Sequence, residues 1–229
     1  MAISPDLIAL PVIVVVAAAL TAAVRIRPGR WTELLTRSLA VVMLVAELCW
    51  WGVEIVVPGA LKTHGLPLQI CDVAAILAAG ALWFRWQPLV DITWWWGIAG
   101  SIPALLTPLP GAVFPNWLYF QYFIVHGGLI VSACVLVVGL RRVPAPGAVL
   151  RVAAVTVVYA AGIALLDHLT AENLLFLCGY PGGPPTLLNM LGPWPRYLVP
   201  VAVIAAVLFF LLELACRPLR PSRRAAEGA

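Results

Sequence analysis

Polar residues are sparse in this chain, and long apolar runs separate them instead of alternating with them. Seven runs stand out: Leu7–Val24, Leu39–Val57, Leu66–Trp83, Ile92–Leu106, Trp117–Leu140, Val149–Leu166 and Tyr197–Ala215. An α-helix needs about 20 mostly apolar residues to cross about 30 Å of hydrocarbon. The strands of a membrane barrel would alternate apolar and polar positions over about 10 residues, and these runs are continuous. The pattern predicts an all-α integral membrane protein of seven transmembrane helices, one membrane domain over residues 1–216 and a basic tail over 217–229. The fourth run is the weakest, being short and containing Pro103. No internal repeat is evident, which weighs against inverted-repeat transporter architectures.

Composition agrees with this pattern. Of 229 residues, 63% are hydrophobic and 10% charged, with a mean hydropathy of +1.01, far from the roughly 25% charged content of a soluble domain. Twelve of the fourteen Lys and Arg residues follow the first, third, fifth and seventh runs; only Lys62 and Arg196 lie on the opposite side. An excess of cations marks the cytoplasmic side, so the expected orientation has the N-terminus outside and the C-terminus, with its tail, cytoplasmic. Cations gathered at helix ends are topology anchors, so no nucleic-acid partner is expected. Met1–Asp6 carries no positive charge and the arginines follow the first run, the wrong order for a secretory signal. Trp83, Trp86 and Trp94–Trp96 fall at the inner interface, and Trp117 and Trp194 at the outer one, as an aromatic belt would. Trp50 and Trp51 lie mid-span and are expected to pack inside.

The long connection is the outer one, residues 167–196. Its apolar run Asn173–Cys178, then Pro181–Pro185 and Leu191–Pro195, predict a lid packed on the mouth of the bundle, with Asn173, Asn189 and Trp194 as lid and substrate-pocket residues.

Ionisable side chains inside spans default to functional candidates. Glu54 lies near the outer end of the second run, with Glu47 seven residues deeper on the same helical face. Cys71 and Asp72 lie about one turn into the third; Gln121, Tyr122 and His126 occupy the outer half of the fifth. Asp91 and Glu213 sit at the inner interface, where snorkelling accounts for them. Tyr122 is one turn from His126 on one face, and Gly127-Gly128 permit close approach of another helix or a ligand. The five cysteines show no zinc spacing, so neither a metal nor a cofactor is expected. Cys49, Cys134 and Cys216 read as small apolar packers. Cys71 heads a seam of small residues, Ala74, Ala75 and Ala78.

The segments Leu66–Asp72, Trp96–Pro108, Gln121–Gly127 and Leu187–Pro195 together resemble the YwaF-type bacterial membrane protein family, over roughly Glu47 to Tyr197. The resemblance extends to eukaryotic multispan ether-phospholipid acyltransferases, and by motif it implies that Cys71 and His126 are catalytic. Gln69 stands where members commonly have histidine, and Asn189 where they often have aspartate.

The resulting expectation is a lipid acyltransferase of the bacterial inner membrane, multi-pass, with membrane lipids as substrates and protein partners left open. A site at the extracytoplasmic side has no acyl-CoA, so the acyl donor must be another lipid: a CoA-independent transacylase. His126 would deprotonate Cys71. Tyr122, Gln121 or a backbone N–H near Gly127 would hold the oxyanion, and Glu54 or Asp72 would orient His126, with Glu47 in support. The rival reading is a proton- or solute-coupled transporter, or a heptahelical sensor, built on the Glu47, Glu54 and His126 cluster.

Overall fold

The computed structural model describes residues 5–57, 66–108, 112–180 and 186–220; Lys62, Pro181–Pro185, Arg223 and Arg224 lie outside the described residues. Among the described residues seven α-helices carry the fold: α1 (Pro5–Ile26), α2 (Arg30–Val56), α3 (Ile70–Phe84), α4 (Gln87–Leu106), α5 (Trp117–Cys134), α6 (Ala148–Thr170) and α7 (Leu198–Cys216). No strand occurs among the described residues. Six of the helices are long and apolar enough to cross a membrane, α5 doing so together with the π-turn Val135–Gly139 that extends it.

The short helix is α3, not the fourth run. Its 15 residues span about 22 Å at about 1.5 Å per residue. Gln69 caps it at one end, and Arg85 in the left-handed region (φ 54°) stops it at the other. By contrast α4 has 20 residues and begins at Gln87 because Pro88 fits the first helical turn, where no intrahelical N–H is needed. Helix α2 starts nine residues before its apolar run, in a segment where Glu33 and Arg37 pair at 2.5 Å one turn apart.

Helices α3, α4 and α5 form the centre. Helix α2 packs on α3 and α5, α1 on α5, and α6 and α7 on α4. The small-residue seam sits in the middle of this core: Ala74, Ala75 and Ala78 are all fully buried. Trp94, Trp95 and Trp96 are not an interfacial belt. All three are buried, and their indole N–H groups donate to Leu212 O (3.4 Å), Phe209 O (3.1 Å) and Thr156 Oγ1 (2.7 Å), tying α4 to α7 and α6. An indole inside a bundle needs such an acceptor. Trp50 and Trp51 are only half-buried.

Gly127 and Gly128 serve helix packing. A Cβ at Gly127 would lie 2.8 Å from Ile13 Cγ1 of α1, and one at Gly128 would collide with Met43 Sδ of α2. Nor do Asp91 and Glu213 snorkel freely. Asp91 accepts from Gln87 Nε2 at 2.8 Å and Arg151 Nη2 at 3.4 Å. Glu213 takes both terminal nitrogens of Arg220, at 2.6 and 2.8 Å, while Arg220 Nε donates to Pro144 O. These contacts gather at the end of the bundle where most arginines lie, the arginine end; the opposite end holds a cavity.

Candidate functional site

The cavity encloses about 370 Å³, within the range of small-molecule sites, roughly 300–1,000 Å³. Its walls come from Trp50 on α2, the turn Leu66–Gln69 and the first turn of α3, Gly100 to Thr107 of α4, Leu118 to His126 of α5, and Tyr197 to Val201 at the head of α7. Leu175–Leu177 and Thr186–Leu188 cover it. The lining is mostly apolar, with Gln69, Cys71, Asp72, Thr107, Gln121 and His126 among its polar members and no described Lys or Arg.

The start of α3 determines where Cys71 stands. Asp72 in the first turn accepts the Gln69 backbone N–H at 2.9 Å, satisfying one of the orphan donors of a helix start. Tyr159 of α6 donates its hydroxyl to Leu68 O at 2.5 Å and so ties the preceding turn to the bundle. The Cys71 thiol packs against the helix backbone of α4 at Gly100, where a Cβ would lie 3.5 Å from Sγ.

His126 is 8% exposed. Its Nδ1 lies 2.9 Å from Tyr122 O. A carbonyl only accepts, so the hydrogen-bond network assigns the proton to Nδ1 and leaves Nε2 with its lone pair. Among the described residues Nε2 has no hydrogen-bond partner. The Tyr122 ring lies 4.1 Å from the imidazole, centroid to centroid. Its hydroxyl donates to Ala104 O at 2.8 Å, one of the last four carbonyls of α4, which lack an intrahelical partner. That commits the Tyr122 proton, and the Gly127 N–H is internal to α5. Gln121 is the remaining cavity-lining donor of the three expected for an oxyanion.

Glu47 and Glu54 are buried, 0% and 1% exposed, and neither lines the cavity. Glu47 accepts from Trp51 Nε1 at 2.8 Å, and its second oxygen has no partner among the described residues. Asp72 lies within electrostatic reach of Glu47, Glu54 and Cys71. The structure therefore brings together Cys71, Asp72, Gln121, Tyr122 and His126 around one space, with the two glutamates behind it. Among the described residues no cluster of His, Cys, Asp and Glu has the geometry of a metal site.

The lid residues act one step away from the cavity. Asn173 donates to Gly179 O (2.9 Å) and accepts from Cys178 N (3.0 Å), folding its segment on itself. Trp194 donates to Leu177 O at 2.9 Å. Asn189 accepts from Thr186 N at 2.7 Å. None of the three lines the cavity; Trp194 and Asn189 each hold a neighbour that does, Leu177 and Thr186. Tyr197, read from the sequence only as the first residue of a span, is the missed component. It is 1% exposed and its hydroxyl is shared between Phe176 O and Gly179 O, the latter at 2.7 Å. Its ring stacks on Tyr180 at 5.1 Å. A tyrosine opening an apolar run carries no sequence signal beyond that of an interfacial aromatic.

The chain matches no curated protein and no solved structure. The model of the TMEM164 family matches residues 2–213, a stretch that takes in every wall of the cavity, its cover and all but the end of α7. On that match, and with six helices able to cross a membrane, this multi-pass membrane protein belongs to the TMEM164 family.

Proposed function

We propose that the chain is a membrane-embedded acyltransferase that moves an acyl chain between lipids through a thioester on Cys71. The observation that carries the reading is the cavity itself: an apolar space lined by both a thiol and an imidazole whose unprotonated nitrogen has no other described partner. The YwaF-type resemblance supports the same pair. In the forward half-reaction Cys71 Sγ attacks the ester carbonyl carbon of a phospholipid while its proton passes to His126 Nε2. Gln121 steadies the oxyanion. The C–O bond breaks, the lysolipid oxygen takes the proton back from His126, and the acyl group remains as a thioester. A hydroxyl of a second lipid then attacks, its proton passes to His126, and the regenerated thiolate is reprotonated from there. His126 is neutral at the start and at the end.

The chemistry sets a demand on topology. With the arginine end cytoplasmic in a bacterial inner membrane, the cavity opens toward the extracytoplasmic leaflet, where the acyl donor is a lipid and not acyl-CoA. Proton or solute transport draws on Glu47 and Glu54, and it requires a polar route joining them to the cavity and to both ends of the bundle.

The test supplies the purified protein with a phospholipid carrying a labelled acyl chain and an unlabelled lysophospholipid, without CoA. The expected result is labelled diacyl product made by wild type and lost in Cys71→Ala. Wild-type protein that yields no product with several donor and acceptor headgroups contradicts the reading. Orientation is tested separately. Native Cys178, which is exposed, should react with an impermeant maleimide in intact cells, and an added Pro146→Cys only after the cells are opened.

A further inference from the structure

Helix α1 approaches α5 at two glycines and stands off between them. At Gly127 a Cβ would meet Ile13 Cγ1 at 2.8 Å, and at Gly139 it would meet Val24 Cγ1 at 3.2 Å. Between these points Ala17, Ala18 and Ala22 of α1 face Ile130 and Cys134 of α5 and Val138 of its π-turn across an open groove of about 470 Å³. Small side chains on one wall create the space, and the π-turn from Val135 forms part of the other wall. Such irregular turns recur at functional sites. Two polar groups break the apolar lining, Thr21 and Arg25. The Thr21 hydroxyl is buried with no hydrogen-bond partner among the described residues, although a helical threonine ordinarily bonds a carbonyl one turn back. Arg25 is exposed and forms no described ion pair.

The order of these groups along α1 is cation, then hydroxyl donor, then apolar slot. Arg25 and Thr21 are one turn apart, about 6 Å along the axis, and the slot continues about 10 Å further to Val14. A glycerophospholipid presents the complementary series: a phosphodiester, an ester carbonyl about one turn deeper, then an acyl chain. The geometry points to a phospholipid-binding site on the α1–α5 face, with phosphate on Arg25, an ester carbonyl accepting from Thr21 Oγ1, and one acyl chain in the groove. This site is separate from the cavity and does not depend on the chemistry at Cys71. A water molecule or an alkyl chain alone leaves Arg25 or Thr21 unmatched.

Cys134 lies in the groove wall and reports occupancy. Wild-type protein in detergent is treated with N-ethylmaleimide, and modification of Cys134 is followed by peptide mass spectrometry with Cys178 as internal control. Dioleoyl phosphatidylglycerol should slow Cys134 modification at least fivefold, while dioleoylglycerol and inorganic phosphate each slow it less than twofold. Arg25→Gln should remove most of the phosphatidylglycerol protection, and Thr21→Val part of it. Equal protection by both lipids indicates an unselective apolar slot and overturns the proposal, as does protection by neither. Protection that rises with protein concentration and not with lipid identifies a second copy of the chain as the occupant and also overturns it. The wild-type measurement stands even where a variant fails to fold.

Discussion

The two ends of the bundle treat buried carboxyl groups in opposite ways. At the arginine end Asp91 and Glu213 each meet a guanidinium, Arg151 at 3.4 Å and Arg220 at 2.6 Å. At the cavity end the described hydrogen bonds to Glu47, Asp72 and Asp167 come from neutral N–H groups: the Trp51 indole and the Gln69 and Leu174 backbones. One oxygen of Glu47 and one of Asp167 have no partner among the described residues. A paired buried carboxylate holds elements together and is expensive to disturb. A carboxyl held from one side by a neutral donor keeps an oxygen without a partner. One end anchors the fold, and the other keeps polar groups available beside an apolar cavity.

Substitutions at the two ends should therefore separate activity from stability. The largest expected effect falls on catalysis. Cys71→Ala and His126→Gln should each lower acyl transfer by at least about a thousandfold, and the double variant should be no worse than either single, because groups acting as one unit are non-additive. Cys71→Ala should cost only about 1 kcal/mol of stability for one small buried group. Additive losses in the double variant would break the pairing.

Next in size is Glu213→Gln, which leaves the Arg220 guanidinium without its counter-charge. The expected loss is about 2–3 kcal/mol, below the roughly 3–5 kcal/mol of fully buried pairs, since both side chains keep some exposure, 12% and 15%. Glu47→Gln preserves size and still accepts from Trp51, so it should change stability by less than about 1 kcal/mol. Thermal unfolding in micelles ranks the two, and the reverse order would undo the contrast between the ends.

Gly128→Ala tests the packing between the ends. Met43 has 0% exposure and cannot withdraw from the added methyl, so overpacking should cost about 1–3 kcal/mol. Met43→Ala in the same chain should recover part of that loss, which a double-mutant cycle reads directly. Tyr197→Phe is also mild, at about 1 kcal/mol for its carbonyl contacts. Its signature is local: faster hydrogen exchange over residues 174–180 with the rest of the bundle unchanged.

How far the sequence reached follows from what each feature depends on. The membrane helices were legible because continuous apolar runs need no knowledge of neighbours. The start of α2 was not, since residues 30–38 mix polar and apolar side chains and become helical through local pairs such as Glu33–Arg37. Trp94–Trp96 were read as a belt because position along a span was the only guide, whereas their facing toward α6 and α7 is tertiary. The seam at Ala74, Ala75 and Ala78 was visible because small residues at helical spacing have few other uses in a membrane. The gathering of Cys71 and His126 on one cavity was anticipated from depth within spans and from motif resemblance. The place of Tyr197 was not, because it acts through backbone carbonyls that leave no side-chain pattern; Asn173 and Trp194 were expected in the lid, but their bonds to its backbone carbonyls could not be read from sequence.

The central claim is that the Cys71 thiol carries the acyl group. Purified wild-type protein incubated with a phospholipid labelled in one acyl chain, then denatured, should retain label on the Cys71 peptide. Neutral hydroxylamine should release that label as the hydroxamate, as it does from a thioester. His126→Gln should accumulate none, and Cys178→Ala should behave as wild type. Transfer of label to an added lysolipid without any hydroxylamine-sensitive adduct on Cys71, under conditions that trap half-reactions, would contradict the account.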